Sequence, residues 1–298
     1  MEGFLNFFID VLKFGLPYSV LALGIFISYR ILDFADLGAE GSYTLGGAVV
    51  AICLYHSLNP FLSLLISIVC GFLAGIITGV LHTKLRIPKL LSGIITMTAL
   101  FSINMFIMGF GSKGNTSGYA SNVYLNGKNT NGVVIKTIYD TFLGFFSAKN
   151  YNIIFINILL VVLVLAIIYF FFGTEIGMSV RSTGMNEAMS RAQGINTSLM
   201  IILGLGISNA LIAMSGALYT QVNRTANNTM GVGVLVIGLA SIIIGEAIFG
   251  KRSFKNWILS VTFGAVIYYL VICLALKLGL PDYCKKLLYA LLITIVLV

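Results

Sequence analysis

The chain has 298 residues, of which 58% are hydrophobic and only 9% are charged, and its mean hydropathy is +1.01. Soluble domains carry about 25% charged residues, so this composition excludes a soluble globular protein. It predicts an integral membrane protein built as a single domain over residues 1–298. The net charge of +8 would suit a nucleic-acid partner in a soluble protein, but here it indicates basic cytoplasmic loops, and we expect no nucleic-acid partner.

Apolar stretches long enough to cross a bilayer as helices recur along the whole chain. They lie at residues 11–29, 41–56, 60–82, 90–110, 152–172, 198–220, 231–250 and 257–276. The last stretch, "LLYALLITIVLV", is short for a span, so either it recruits the preceding "YCKK" or the sequence stops before the native end. The sequence therefore predicts an all-α, polytopic membrane protein with about eight or nine transmembrane helices.

The basic residues set the predicted orientation. Lysines and arginines cluster at residues 84–89, 181–191 and 251–255, which are alternate connections between the spans. Because such clusters stay in the cytoplasm, the N-terminus and residues 111–150 and 221–230 are expected outside. Lys285 and Lys286 do not fit this scheme, which also places them outside.

The entry to the second span combines acids with glycines. Asp33, Asp36 and Glu40 precede or enter the apolar run, and Gly38 and Gly41 weaken a continuous helix there. A broken helix exposes backbone groups that must line a cavity or be buried in protein. We therefore predict one broken helix near the second span, with Asp36 and Glu40 at the mouth of a pathway. The alternative is a capped loop whose acids lie at a helix N-terminus, where they are favoured in any case.

Other features concern helix packing and the outer surface. Gly71, Gly75 and Gly79 repeat every fourth residue, which predicts a helix face that a neighbouring helix approaches closely. Residues 111–150 form the longest polar stretch, and their second part, "VVIKTIYDTFLGFF", predicts an amphipathic helix on the outer surface. A connection of this length is either a docking surface or a plain connector.

The segment "VRSTGMNEAMSRAQGIN", residues 180–196, is unusually polar for its apolar surroundings. Asn186 is a good N-cap, Glu187 suits the positive helix end, and Gly194 suits the position after the last turn. The pattern predicts a short helix from Glu187 to Gln193, with Glu187 and Arg191 spaced for an ion pair. Small and medium side chains line its faces, namely Met185, Ala188, Met189 and Ala192. Such a helix either inserts into a groove on a partner or forms a plain hairpin.

A few polar residues lie in or near the spans. Tyr43, Asn104 and Gln221 could line a path or merely bridge helices. Glu246 lies one turn before Lys251 and is expected to form an ion pair rather than to bind substrate. These residues are our remaining candidates for a pathway or gate.

No catalytic signature is visible in the sequence. It contains no GxxxxGK[ST] phosphate loop, no Ser–His–Asp or paired-carboxylate pattern, and no metal-ligand pair of histidines or cysteines. We therefore expect no catalytic residue, no metal site and no cofactor bound by this chain.

An ion-coupled secondary transporter would need acids near the bilayer midplane, whereas the acids here crowd toward the span ends.

Three stretches resemble the ABC importer permeases of the branched-chain amino acid and ribose permease family. Residues 180–196 are similar to the coupling loop of that family, "RILDFADLGAEGSYTLGGAVVA" to its second-span entry, and "TMGVGVLVIGLASIIIGEAIFGKR" to a late span. The acid of the coupling loop stands one position earlier than is usual in the family. The segment "LDFADLGAEGSYTLGG" resembles the corresponding segment in a narrower branch of the family, which serves tryptophan or tyrosine uptake in Gram-positive bacteria.

The resemblance implies a multi-pass permease of a bacterial plasma membrane that imports a small solute. It implies a second copy of the permease, a cytoplasmic ATPase dimer that uses ATP and Mg²⁺, and an extracytoplasmic binding lipoprotein. Residues 180–196 would then couple to the ATPase through the short helix. The solute would be an amino acid, and an aromatic one in the narrower branch; a sugar or a nucleoside is the alternative.

Overall fold

A computed structural model describes residues 2–110, 119–127, 134–141, 149–277 and 294. The helices of the first half are α1 (Glu2–Ile25), a π-helix (Phe26–Ile31), α2 (Gly38–Tyr55), α3 (Pro60–Thr83), α4 (Lys89–Gly109) and α5 (Ile138–Thr141). Those of the second half are α6 (Lys149–Gly173), α7 (Glu175–Met185), α8 (Glu187–Ala192), α9 (Thr197–Asn223), α10 (Val234–Phe249) and α11 (Phe254–Lys277). Two short strands, β1 (Asn122–Tyr124) and β2 (Thr225–Asn227), pair antiparallel.

The all-α membrane fold predicted from the sequence is confirmed. Within the described residues, six helices are long and apolar enough to cross a membrane, the first being α1 together with the π-helix. Two shorter helices lie at two further predicted spans: α2, with 18 residues, and α10, with 16 residues. The last predicted stretch, residues 287–298, lies outside the described residues except for residue 294, so the total of eight or nine spans stays a prediction.

Helix α9 lies at the centre of the bundle. It packs against α1, α2 and α3, while α11 packs against α1 and α10. The glycine face predicted on α3 makes the closest approach: a β-carbon at Gly71 or Gly75 would collide with the backbone of α9 at Asn209 or Leu205. The two backbones thus pack without intervening side chains, as small-residue faces allow in membranes.

The chain is irregular between the π-helix and α2. The break covers residues 32–37 and ends where α2 begins, so Gly38 and Gly41 lie inside a continuous helix and not at the interruption itself. Gly41 instead allows α4 to approach, since a β-carbon there would lie 2.9 Å from Leu100 Cβ. The break is therefore made by the six residues 32–37, among them Asp33, which has a φ of 50°.

A second irregular stretch, which the sequence analysis did not identify, separates β2 from α10. It covers residues 228–233 and ends at Gly233, whose φ of 87° favours glycine.

The pairing of β1 with β2 places both strands on one side of the bundle, in agreement with the common location predicted for residues 111–150 and 221–230.

The predicted amphipathic helix falls only partly within the described residues. The described part is the single turn α5, and its Ile138 and Tyr139 side chains are buried in the protein interior. Tyr139 donates to Asn157 Oδ1 on α6 over 2.7 Å. Residues 142–148, where the predicted helix would continue, lie outside the described residues.

Candidate functional site

Helix α8 forms where the capping pattern predicts it. The Asn186 side chain accepts a hydrogen bond of 3.0 Å from the backbone N–H of Met189, and Gly194 follows the helix with a φ of +84°. Asn186 also ends α7, so α7 and α8 meet at a sharp corner. At that corner the Ser182 and Ser190 hydroxyls lie 2.6 Å apart, and Ser190 is the buried residue of α8.

The opposite face of α8 is exposed and apolar. Met185 is 88% exposed and Met189 60% exposed, and Ala188 and Ala192 are also exposed. Met185 is the last residue of α7, directly before the corner at Asn186, and it is the most exposed large hydrophobic residue in the described part of the chain. An exposed, adaptable methionine pair is typical of a surface that binds another protein.

A small polar network fixes α8 to the beginning of α9. Arg191 donates to the Glu187 carboxylate over 2.7 Å and to Thr197 Oγ1 over 3.1 Å. Thr197 Oγ1 in turn donates to the same carboxylate oxygen over 3.3 Å. The ion pair predicted between Glu187 and Arg191 is thus present, and it links α8 to the central helix of the bundle.

Helix α7 touches the break. Gly184 packs against the carbonyl oxygen of Ile31, and a β-carbon at Gly184 would overlap that oxygen. On α9, Gly204 lies against the Leu32 side chain in the same way. The segment that carries α8 is therefore in backbone contact with the end of the π-helix, and π-helical turns are frequent at functional sites.

Asp36 is the buried centre of the break. Its side chain accepts hydrogen bonds from Asn209 Nδ2 at 2.7 Å and from the Gly38 backbone N–H at 2.8 Å, and the residue is 1% exposed. A hydroxyl pair between Thr78 and Thr96 lies beside Gly38, with 2.9 Å between its oxygens. The break is thus tied to α9 and bordered by α3 and α4.

Glu40 connects the break to the second irregular stretch. One of its carboxylate oxygens accepts a hydrogen bond of 2.9 Å from the Gly233 N–H, and Gly231 packs on its backbone. Asn228, in the same stretch, is 4% exposed, and neither atom of its side-chain amide has a hydrogen-bond partner in the described part of the chain. The two irregular stretches therefore meet at the first turn of α2.

The other pathway candidates make separate contacts, of which the Asn104 bond reaches the first turn of α2. Asn104 donates to the Gly41 carbonyl over 3.1 Å, and Gln221 accepts from the Ile138 N–H over 2.9 Å near the strands. Tyr43 is buried, with its ring 6.2 Å from that of Tyr219. In this structure Asn104 and Gln221 bridge neighbouring segments, one of the two roles considered for them.

Glu246 lies where the ends of the π-helix, α10 and α11 meet. It pairs with Arg30 of the π-helix at 2.6 Å and with Lys251 at 2.9 Å. Its other oxygen accepts from Trp257 Nε1 at 2.8 Å. The expected ion pair is present, and its second cation, Arg30, comes from a distant part of the sequence.

Comparison with known proteins decides the family. Residues 7–297 match the family described as "Branched-chain amino acid transport system / permease component". The chain belongs to this family. The tyrosine transport system permease protein of Clostridioides difficile is 38% identical over 285 residues, covering 96% of this chain and 88% of that one.

More distant relatives of the permease include a ribose import permease protein of Haemophilus influenzae. It is 24% identical over 236 residues, covering 79% of this chain and 64% of that one. Among solved structures, PsaBC from Streptococcus pneumoniae in complex with Fab is 17% identical, covers 91% of each chain and has a TM-score of 0.38. The chain is thus a multi-pass permease subunit of a bacterial membrane transport system, and its family implies an ATPase and a binding protein as partners.

Two residues of the permease site were missed in the sequence. Asn209 lies in the middle of α9 and Asn228 just after β2, and neither stands in a motif. A lone asparagine among apolar and small residues was the available signal for Asn209, because a polar amide inside a span needs a partner. For Asn228 the local sequence is an ordinary turn, and its burial follows only from the fold.

Proposed function

We propose that this permease imports an aromatic amino acid, with tyrosine the first solute to test. Support comes from its identity to the tyrosine transport system permease protein, which extends over almost the whole of both chains. The family description also names amino acid transport. Ribose import permeases are much less similar, which favours an amino acid over a sugar.

The energy for import would come from an ATPase bound at α8. The observation that carries this proposal is the exposed pair of Met185, at the end of α7, and Met189, on α8, with α8 itself held by the Glu187–Arg191–Thr197 network. A short helix of this kind fits a groove on a partner. The ATPase subunits would bind ATP and Mg²⁺, and this chain would bind neither.

Movement of α8 would reach the transport path by direct contact. The Gly184–Ile31 backbone contact connects α7 to the end of the π-helix, five residues before Asp36. A rigid displacement of α7 and α8 cannot leave the break unchanged, because closely packed backbones do not deform continuously. Two copies of the permease, each with one α8, would enclose the path and engage the two ATPase subunits.

The solute would arrive from an extracytoplasmic binding protein. On that side, the β1–β2 pair and the ion pair between Arg224 and Asp140 hold the long connection against the end of α9. The described parts of this surface, β1, β2 and α5, are thereby linked to one another and to α9. We expect the binding protein to select the solute and the permease to provide the path.

The test is uptake of radiolabelled tyrosine into proteoliposomes that contain the permease, its ATPase and its binding protein. We expect uptake to require ATP and to be lost in the double variant Glu187→Lys/Ala188→Trp, which should also fail to co-purify with the ATPase. Leu85→Trp is the matched control, because Leu85 is an exposed residue in another cytoplasmic connection. Tyrosine uptake without ATP would favour an ion-coupled transporter, and ATP-driven uptake of ribose alone would overturn the choice of solute.

A further inference from the structure

A groove of about 390 Å³ opens between α6 and α11 on the membrane-facing surface. Its walls are apolar: Val162, Leu165, Ala166 and Phe170 from α6, and Ile258 and Leu259 from α11. From Val162 to Phe170, the α6 wall covers nine residues, and the eight steps between them rise about 12 Å along an α-helix. That length suits about half of a typical acyl chain.

The two remaining residues of the groove are Tyr169 and Lys255, at its cytoplasmic end. The Lys255 ammonium lies 5.0 Å from the centre of the Tyr169 ring. Lysine and tyrosine together at the edge of an apolar surface are typical of the level of the lipid headgroups. The groove is therefore apolar in its depth and positively charged at its mouth.

This positive charge is not neutralised by the protein. Lys251 pairs with Glu246, but neither Lys255 nor the nearby Arg252 forms an ion pair within the described residues. Arg181 adds a third cation on this side, with its guanidinium 4.6 Å from the centre of the Phe254 ring. An anion at the mouth of the groove would meet a positive potential with no competing carboxylate in the described part of the groove lining.

We propose that the groove binds an anionic phospholipid of the cytoplasmic leaflet. One acyl chain would lie between α6 and α11, and the headgroup phosphate would contact Lys255. This occupant satisfies both parts of the groove, because it brings apolar surface to the walls and negative charge to the mouth. An apolar helix from a second copy would fill the walls but leave Lys255 without a counter-charge. The proposal does not depend on the identity of the transported solute.

The test is native mass spectrometry of the purified, delipidated full-length permease. The protein is titrated with dioleoyl phosphatidylglycerol and, separately, with dioleoyl phosphatidylcholine, which has the same acyl chains but no net charge. We expect tighter binding of phosphatidylglycerol, and a loss of affinity for it of about tenfold in Lys255→Glu. Ala166→Trp should weaken the binding of both lipids, because it fills the groove.

Lys84→Glu is the matched control, since Lys84 is also an exposed lysine at the cytoplasmic end of a span but lies outside the groove. It should bind phosphatidylglycerol like the wild type. Equal affinity of the wild type for the two lipids, or equal losses in Lys255→Glu and Lys84→Glu, would overturn the proposal. So would efficient disulfide dimerisation through Ala166→Cys in membranes, because it would place a second copy in the groove. Thermal unfolding of each variant establishes that it is folded.

Discussion

Gly184 of α7 and Ile31 of the π-helix touch through their backbones, so position 184, near the C-terminal end of α7, has no room for even one methyl group. These two residues are far apart in the sequence, yet their contact connects the exposed α8 to the break in the membrane. A contact without side chains is stiff, since no rotamer can absorb a displacement. This makes Gly184 the most direct point at which to test transmission through the permease.

Gly184→Ala should reduce ATP-driven uptake about tenfold or more, a loss within the usual range for coupling between sites. The added β-carbon must push α7 away from the Ile31 carbonyl. ATP hydrolysis by the associated ATPase should persist, because the Met185–Met189 face is unchanged. Uptake and ATP hydrolysis are measured on the same proteoliposomes.

The matched control is Gly173→Ala, at the end of α6. A β-carbon there would meet no atom within 4 Å. It should leave both activities unchanged. Wild-type uptake by a folded Gly184→Ala permease would show that this contact does not transmit the motion.

Asp36→Ala should destabilise the permease by about 1–3 kcal/mol, the cost of leaving buried donors without partners. The Gly38 N–H loses its acceptor, and Asn209 keeps only its bond to the Leu205 carbonyl. The measurement is thermal unfolding in detergent. If Asp36 and Asn209 interact, the double variant Asp36→Ala/Asn209→Ala should lose less stability than the sum of the losses in the two single variants.

Asp33→Asn serves as the comparison, since it removes a carboxylate from the same break and asparagine tolerates the φ of 50° at this position. The Asp33 side chain is 84% exposed and 3.9 Å from Lys89, so loss of its charge should alter the free energy of unfolding by less than about 0.5 kcal/mol. Equal effects of the two substitutions would mean that Asp36 is not an anchor of the break.

Local signals explain what the sequence predicted well. Helix α8 begins at Glu187 as expected and ends at Ala192, one residue earlier than predicted, because Asn186 and Gly194 act through neighbouring backbone groups. The spans were predicted because the bilayer requires long apolar helices. The glycine repeat on α3 correctly indicated a close helix partner, although not which helix.

Pairings between distant residues could not be predicted in the same way. The bond from Asn209 to Asp36 and that from Gly233 to Glu40 each depend on which helices are neighbours. The periodicity of residues within one helix does not indicate which other helix lies beside it. The π-helix over Phe26–Ile31 was also missed, since no local motif in its sequence marks it.

Glu246→Gln should destabilise the end of the bundle where α10, α11 and the π-helix meet by about 1–3 kcal/mol. The substitution leaves Arg30 and Lys251 without their acidic partner, which would cost more if these two cations were fully buried. Both are partly exposed, so solvent reduces the free-energy cost. Trp257 is the only tryptophan in the chain, and its indole N–H donates to Glu246. Its fluorescence emission should therefore change in this variant, and it also reports unfolding in denaturant.

Glu175→Gln, at the exposed start of α7, provides the control for the loss of a carboxylate. It should leave both the emission of Trp257 and the stability as in the wild type. An unchanged spectrum in Glu246→Gln would contradict the contact between the acid and the indole.

Tyr124 and Thr225 should form a disulfide when both are replaced by cysteine, because they are direct partners in the β1–β2 pair. Opposed residues in an antiparallel pair have α-carbons about 4.5–5.5 Å apart, which suits a disulfide. The experiment uses a background in which the native cysteines are replaced by serine, with Tyr124→Cys alone as the control. In intact cells, a membrane-impermeant thiol reagent should label that single cysteine, which is highly exposed, and mild oxidation should cross-link only the double variant. Labelling only after the membrane is opened would place the strands in the cytoplasm, and it would then put α8, at the other end of α9, on the side away from any ATPase.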